Sequence, residues 1–370
     1  MKVALLHFCF YEYTVQLANA LAAINIDLTL IHPQQLTAQM QGLLDPRIKV
    51  ITFNKYRIRN PRNLSAMGKL MSIIRKIEPD VLHVQETNDP WYDLTLLLNK
   101  MPPLVTTIHD VYRHPGDKDN VIGSEYTRQI AFWRSQQLIV HANLLKDALV
   151  EEFSVPKQRV CILPHGELGS LYQRLAKDNN TVREPYTLLF YGRIWAYKGL
   201  NYLLKAMPSI IEKFPQVKLI IAGKGDNIKQ YFPDGCDKKH YEILNKYIPS
   251  EDVAKLFQRS TAVILPYIEA SQSGVASLAY AMGTPVIASE IGGLAEMIVS
   301  EQDGLLVPPR DASALADTII RLLSDSELQH QIRTAALYRC KDDLNWLNIA
   351  TQTVEIYRKA IYLKNIHRLN

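Results

Sequence analysis

Two cationic side chains and one run of small residues carry the chemistry that this 370-residue chain suggests most directly. The stretch G-R-I-W-A-Y-K-G at 192–199 sets Arg193 and Lys198 close to Gly192, a residue that permits a tight turn. A planar guanidinium and a mobile ammonium together suit a diphosphate. The stretch S-Q-S-G-V at 271–275 stands between an apolar run, Ala262 to Leu265, and a helix-forming segment, Val275 to Met282, that Gly283 ends and Pro285 follows. A helix starting there presents backbone N–H groups and the positive end of its dipole, which again suits a phosphate. T-I-H-D at 107–110 puts His109 and Asp110 at the end of a predicted strand, where an imidazole can serve acid–base or hydrogen-bonding chemistry. A-G-K-G-D at 222–226 adds a glycine turn at Gly223. Each stretch also has a plain structural reading: exposed basic residues before a helix, small residues in a crossover, a satisfied core histidine.

The elements that must position these residues alternate along the chain. Short apolar runs bounded by turn residues predict strands at Val3–Phe8, Leu28–Ile31, Val50–Phe53, Val81–Val84, Val105–Ile108, Leu138–Val140 and Val160–Leu163. A second set is predicted at Leu188–Tyr191, Leu219–Ala222, Glu242–Leu244, Ala262–Leu265, Val286–Ala288 and Leu305–Val307. Helical segments separate them, among them Val15–Ala23, Leu64–Ile77, Leu144–Phe153 and Ala312–Leu323, the last capped by Asp311. The alternation predicts an α/β protein of two Rossmann-like, doubly wound parallel-sheet domains facing a cleft. Residues 1–174 and 187–342 form the domains, the polar, aperiodic 175–186 forms a linker, and 343–370 holds a closing helix. Ligands in such sheets sit beyond the carboxyl ends of the strands. Residues 83–86, 106–110, 191–199, 222–226 and 266–274 all fall at that edge.

Composition narrows the function. The hydrophobic fraction of 47% is that of an ordinary globular protein, and no apolar run approaches a membrane span. Cys9, Cys161, Cys236 and Cys340 are scattered without C-x-x-C spacing, so neither zinc nor a disulfide framework is indicated and a cytoplasmic setting fits. The net charge of +5 is modest. Lys55, Arg57, Arg59, Arg62, Lys69, Arg75 and Lys76 nevertheless come with no acidic residue among them. Leu64, Met67, Leu70, Met71, Ile74 and Ile77 follow helical spacing within that run, which reads as a solvated helix packed on a sheet or as a surface that leans on anionic lipid at the inner membrane face. No nucleic-acid motif accompanies the charge. The first-strand loop reads H-F-C-F-Y-E in place of G-x-G-x-x-G, which argues against a dinucleotide dehydrogenase. There is no G-x-S-x-G or H-E-x-x-H.

The ordered set D-V-L-H-V (80–84), T-I-H-D (107–110), I-L-P-H-G (162–166), G-R-I-W-A-Y-K-G (192–199), I-I-A-G-K-G (220–225) and A-M-G-T-P-V-I-A-S-E-I-G-G-L-A-E (281–296) resembles family 4 of the retaining glycosyltransferases, which have the two-domain GT-B fold. The resemblance covers nearly the whole chain. It implies a metal-independent transfer of a hexose from a nucleotide diphosphate sugar to a glycan or lipid-linked acceptor, as in surface polysaccharide or glycolipid synthesis. It assigns Arg193, Lys198 and the amides of 273–275 to the diphosphate, and His109 to the neighbourhood of the donor sugar. Gly192 and Gly223 belong to the same donor-binding turns.

The departures are as informative. The family usually carries two glutamates with seven residues between them across this loop, and counting back from Gly283 places them at Ala270 and Leu278. Glu269 stands one residue early, and S-Q-S-G-V marks a branch of the family. Leu278 cannot accept hydrogen bonds from a ribose. Glu269 is therefore expected to orient sugar hydroxyls, with the small residues Ala270 and Ser271 letting the loop shift to bring it to the donor. Two other readings stay open: a GT-B nucleotide-sugar epimerase, and a catalytically silent GT-B scaffold that binds a glycan or a protein.

Overall fold

The computed structural model describes the chain apart from residues 113–124, 178–180, 233–237 and 370. The strands are β1 Lys2–Leu6, β2 Asp27–Pro33, β3 Lys49–Phe53, β4 Val81–Gln85, β5 Leu104–Thr107, β6 Gln137–Val140 and β7 Val160–Ile162, followed by β8 Thr187–Tyr191, β9 Lys218–Ala222, β10 Tyr241–Leu244, β11 Ala262–Leu265, β12 Val286–Ser289 and β13 Leu305–Val307. The first seven form one sheet in the order β3-β2-β1-β4-β5-β6-β7, and the last six form another in the order β10-β9-β8-β11-β12-β13. Every pairing is parallel. The sheets are covered by helices on both faces, which is why strands such as Val3–Leu6 and Ala262–Leu265 are fully buried and read as unbroken apolar runs. In each sheet the strand order reverses beside the first strand, at β1/β4 and at β8/β11, and such a switch point opens a crevice at the carboxyl edge. Two doubly wound sheets of this kind are the GT-B architecture.

The chain divides into two compact units, and the divisions differ from the expected ones. It leaves the first unit at Pro164 and enters the second at His165, ten residues before the expected boundary at 174. Residues 169–175 are helical, and a Cβ on Gly169 would lie 2.3 Å from that of Ala281, so this helix is packed against the second unit's own core. The described residues of the expected linker 175–186 are second-unit structure as well. The Glu184 N–H donates to the Arg259 carbonyl (2.7 Å), and the Arg259 guanidinium pairs with the carboxylates of Glu184 (2.7 Å) and Glu242 (2.9 Å). The polar composition there reflects charges paired along the sheet edge. Residues 178–180 of the linker and Cys236 lie outside the described residues.

The closing helix, Trp346–Leu369, belongs to the first unit. Trp346 meets Tyr13 edge-on at 4.9 Å, and the Tyr357 hydroxyl is hydrogen-bonded to Nδ1 of His83 (2.7 Å), whose Nε2 is hydrogen-bonded to the Thr107 hydroxyl (2.8 Å). His83 is thus a structural histidine. The basic run 55–76 is also less uniform than its sequence. Lys55 is nearly buried in an ion pair with Asp89 (2.6 Å). In the helix Asn63–Ile77, Met67, Leu70, Met71 and Ile74 are buried but Leu64, in its first turn, is exposed.

Candidate functional site

In the second unit the predicted diphosphate stretches are fused into one layer by backbone hydrogen bonds. After β8 the chain turns on Gly192 (φ 117°), whose N–H donates to the Ala222 carbonyl at the end of β9 (3.0 Å). The Gly192 carbonyl lies 1.7 Å from where a Cβ on Gly223 would stand, so Gly223 is glycine to let the two turns touch. The Ile194 N–H donates to Lys224 (3.1 Å), and the Asp226 N–H donates back to Ile194 (2.7 Å). A short turn, Ala196–Lys198, is then tied to the loop after β11 by the Ile268 N–H on the Tyr197 carbonyl (2.8 Å).

Both cations rest on aromatic faces. The Lys198 ammonium lies 3.7 Å from the ring centre of buried Tyr267, and the Arg193 guanidinium 4.4 Å from that of Trp195. Such contacts steer a cation without neutralising it. Arg193 is exposed and Lys198 half-buried. The helix Gly274–Ala281 begins beside this layer. Ser273 is its buried cap, its hydroxyl accepting from the Ala276 N–H (3.3 Å), and the first-turn amides of Gly274 and Val275 are ones that a helix leaves without partners of its own. His165 also belongs here, with Nε2 3.9 Å from where a Cβ on Gly274 would be. The sequence carried it inside I-L-P-H-G, but only the fold brings it to the helix start.

The departures from the family pattern now have positions. Leu278 is buried in the apolar core that includes Phe257, Ala276 and Tyr280, so its side chain serves packing. Glu269 is exposed, and among the described residues no hydrogen bond or ion pair holds its carboxylate. The expected loop shift is not supported. Ile268 is bonded to Tyr197, and the Ala270 carbonyl accepts the Gly293 N–H (3.1 Å). Gly292 (φ 52°) crosses so close that a Cβ there would lie 1.8 Å from the Ala270 oxygen. Glu269 therefore sits between two pinned neighbours, and any reach toward a donor must come from its own side-chain rotation.

In the first unit His109 follows β5 and is completely buried, unlike the open edge residue that its sequence position suggests. Its Nε2–H donates to the Gln85 carbonyl oxygen (2.9 Å). Phe10 stacks on one face of the ring at 3.9 Å, Tyr13 meets it edge-on at 5.0 Å, and His141 lies at 5.1 Å. Phe10 itself has φ 60°, an uncommon conformation for a bulky residue. The backbone N–H groups of His109 and Asp110 both donate to one oxygen of Glu86 (3.0 and 3.3 Å), and the other oxygen takes Arg128, which also donates to the Asp110 carbonyl. Burial pushes the Glu86 carboxyl up, with Arg128 opposing. Sequence reasoning reached residues 83–86 as a stretch but missed Glu86 as the group that sets the T-I-H-D backbone. Among the described residues no group of three or more His, Cys, Asp and Glu side chains could hold a metal ion.

Residues 185–325 match the family described as glycosyl transferases group 1, and residues 2–142 match the glycosyl transferase 4-like family. An uncharacterised glycosyltransferase of Methanocaldococcus jannaschii is 27% identical over 83% of this chain and 85% of its own. Among solved structures, a Rickettsia africae glycosyltransferase superposes with a TM-score of 0.74 at 20% identity, covering 97% of this chain and 99% of that one. An Anabaena protein solved in complex with UDP-glucose superposes at 0.71 with 16% identity, covering 96% and 98%. With glycosyltransferase families matched in both halves and the GT-B fold along nearly its whole length, the chain is a glycosyltransferase of the GT-B, family 4 type.

Proposed function

We propose that the protein is a retaining glycosyltransferase that moves a hexose from a nucleotide diphosphate sugar to a hydroxyl of a glycan or lipid-linked acceptor. The observation that carries this reading is the fusion of the Arg193 and Lys198 turn with the loop that starts the helix Gly274–Ala281. It gathers two cations and a helix N-terminus on one layer of the second unit. The Anabaena neighbour, whose complex contains UDP-glucose, supports the donor class.

In the reaction, the bond between the anomeric carbon and the diphosphate oxygen breaks and its electron pair stays on the diphosphate. Arg193, Lys198 and the amides of residues 273–275 stabilise that growing charge without requiring a metal ion. The acceptor oxygen bonds to the anomeric carbon on the face the diphosphate leaves, and its proton passes to the departing phosphate. His109 is assigned to the sugar side. For that role the Phe10 ring stacked on it has to turn aside. Glu269 orients sugar hydroxyls. The buried, apolar Leu278 favours the silent-scaffold reading, and donor turnover separates the two.

Calorimetry with a panel of nucleoside diphosphates tests the assignment. A charge-assisted hydrogen bond contributes about 1.5–3 kcal/mol. Arg193→Ala or Lys198→Ala should therefore weaken the tightest-binding diphosphate roughly ten- to a hundredfold, with the fold retained. Undiminished affinity in both variants would remove the diphosphate from this layer.

A further inference from the structure

The helix Pro90–Leu98 of the first unit is apolar on two sides. Tyr92 and Leu96 face the core, while Leu94, Leu97 and Leu98 are 43%, 54% and 71% exposed. Their spacing puts them on one stripe. Among the described residues no other helix exposes three large apolar side chains. On the neighbouring helix Glu125–Arg134, Trp133 is 51% exposed. The stripe carries no exposed acid, because Asp93, the helix's one carboxylate, is buried.

Cations are fixed around it. Arg75 donates to the Asn99 side chain (2.9 Å) and Arg134 to the Asn99 carbonyl (3.2 Å), so two guanidinium groups from flanking helices meet at the end of the leucine helix. Exposed Lys100 follows. The other end is held by the basic run: Lys55 pairs with the capping Asp89 (2.6 Å), and the Trp91 indole N–H donates to the Ile58 carbonyl (2.7 Å). Asp80, exposed just before β4, accepts the Lys2 backbone N–H (2.7 Å).

We propose that this face, Leu94, Leu97, Leu98 and Trp133 rimmed by Arg75 and Arg134, seats on the surface of an anionic lipid bilayer. The leucines enter the boundary between headgroups and acyl chains, the indole sits at headgroup level, and the arginines meet lipid phosphates. Charge complementarity selects this occupant. A second copy packed face to face by a two-fold axis would set the arginine rims against each other. No helix among the described residues is long and apolar enough to cross a membrane, so the contact is one of lying on the surface. The basic run of the sequence then has a definite task, which is to pin and rim the leucine helix.

Sedimentation of the full chain with vesicles of phosphatidylcholine, and of phosphatidylcholine mixed with phosphatidylglycerol, tests this. The parent should pellet with the mixed vesicles, about tenfold less with phosphatidylcholine alone, and less again as salt rises. The triple variant Leu94→Ser, Leu97→Ser, Leu98→Ser, all at exposed positions, should lose about tenfold in partition. Arg75→Gln with Arg134→Gln should flatten the salt dependence. Circular dichroism and nucleoside diphosphate affinity should stay at parental values in both, so a failure here is distinct from a failure of the transfer reading. Absent pelleting of the parent, undiminished pelleting of the serine variant, or a dimer lost in the serine variant without lipid binding would each overturn the proposal.

Discussion

The two units share a strand order and build their carboxyl edges by opposite means. In the first, polar side chains are buried against one another: His109 on Gln85 under Phe10, Glu86 between Arg128 and two amides, His83 between Tyr357 and Thr107. In the second, the edge is knitted by backbone hydrogen bonds and glycine crossings, and its cations lie outward on aromatic faces. The difference teaches where each kind of charge is useful. A charge consumed by the fold, such as Arg128, fixes a loop. A charge laid on an aromatic face at an exposed position, such as Arg193, faces solvent.

The largest expected effect lies in the first unit. Glu86→Ala leaves Arg128 buried without its carboxylate and strips the acceptor from the His109 and Asp110 amides. Removing one partner of a buried pair costs about 3–5 kcal/mol. Urea unfolding should show a loss of that size, with faster amide exchange at 109–110, whereas Arg193→Ala in the second unit should change stability by only about 0.5 kcal/mol or less. Similar stability losses in the two variants would erase the contrast.

Within the second unit the contrast is between Leu278 and Glu269. Leu278→Ala opens a hole in the core and should cost roughly 2–5 kcal/mol. At temperatures where it stays folded, its affinity for nucleoside diphosphate should be parental. Glu269→Ala should do the reverse, leaving the thermal midpoint in place while lowering turnover of donor. A Glu269→Ala protein that turns over donor like the parent would deprive the loop of any replacement for the family's missing glutamates.

How much of this is legible in the sequence follows from the same physics. Strands buried on both faces, such as Val3–Leu6 and Ala262–Leu265, announce themselves as apolar runs, and Asp311 caps its helix as its type and position predict. The layer proposed for the diphosphate is local in sequence too, since Gly192, Arg193, Lys198 and Gly199 cluster in 192–199 and small residues in 271–275. The helix Pro90–Leu98 is hidden because L-T-L-L-L has no helical period when both faces are apolar, although Asp89 and Pro90 form a good helix start. The joining of Glu86 to Arg128 is hidden for another reason. Long-range burial of a charge pair has no local signature, and the enclosure of His109 by Phe10 and Tyr13 likewise depends on how the first loop folds over β5.

The smallest and most specific expectation concerns Asp93, beneath the leucine helix. Burial lifts its carboxyl to about 7, with Thr127 and Arg128 opposing and Asp89 and Glu86 reinforcing. A carboxyl raised in the folded state binds its proton more tightly there than in the unfolded chain. Its contribution to stability therefore falls as pH rises from about 4 to about 7 and is constant above that. His7 and His83 act in the other direction: burial lowers them to about 4 and about 3, so their contribution grows with pH up to about 6.5. Both trends act in the parent protein. Asp93→Asn removes this carboxyl's share of the first, since an amide of the same shape has no charge to bury. The variant should match the parent near pH 4 and exceed it by roughly 2–4 kcal/mol at pH 8, each pKa unit being worth about 1.4 kcal/mol. Its stability should also climb more steeply with pH than the parent's, because one of the raised carboxyls that oppose the histidines is gone. Urea midpoints at pH 4.5, 6 and 8 give both curves. Parallel curves would mean that Asp93 titrates as it does in the unfolded chain, and that the first unit does not hold its carboxyl groups in the dry setting that separates its edge from that of the second.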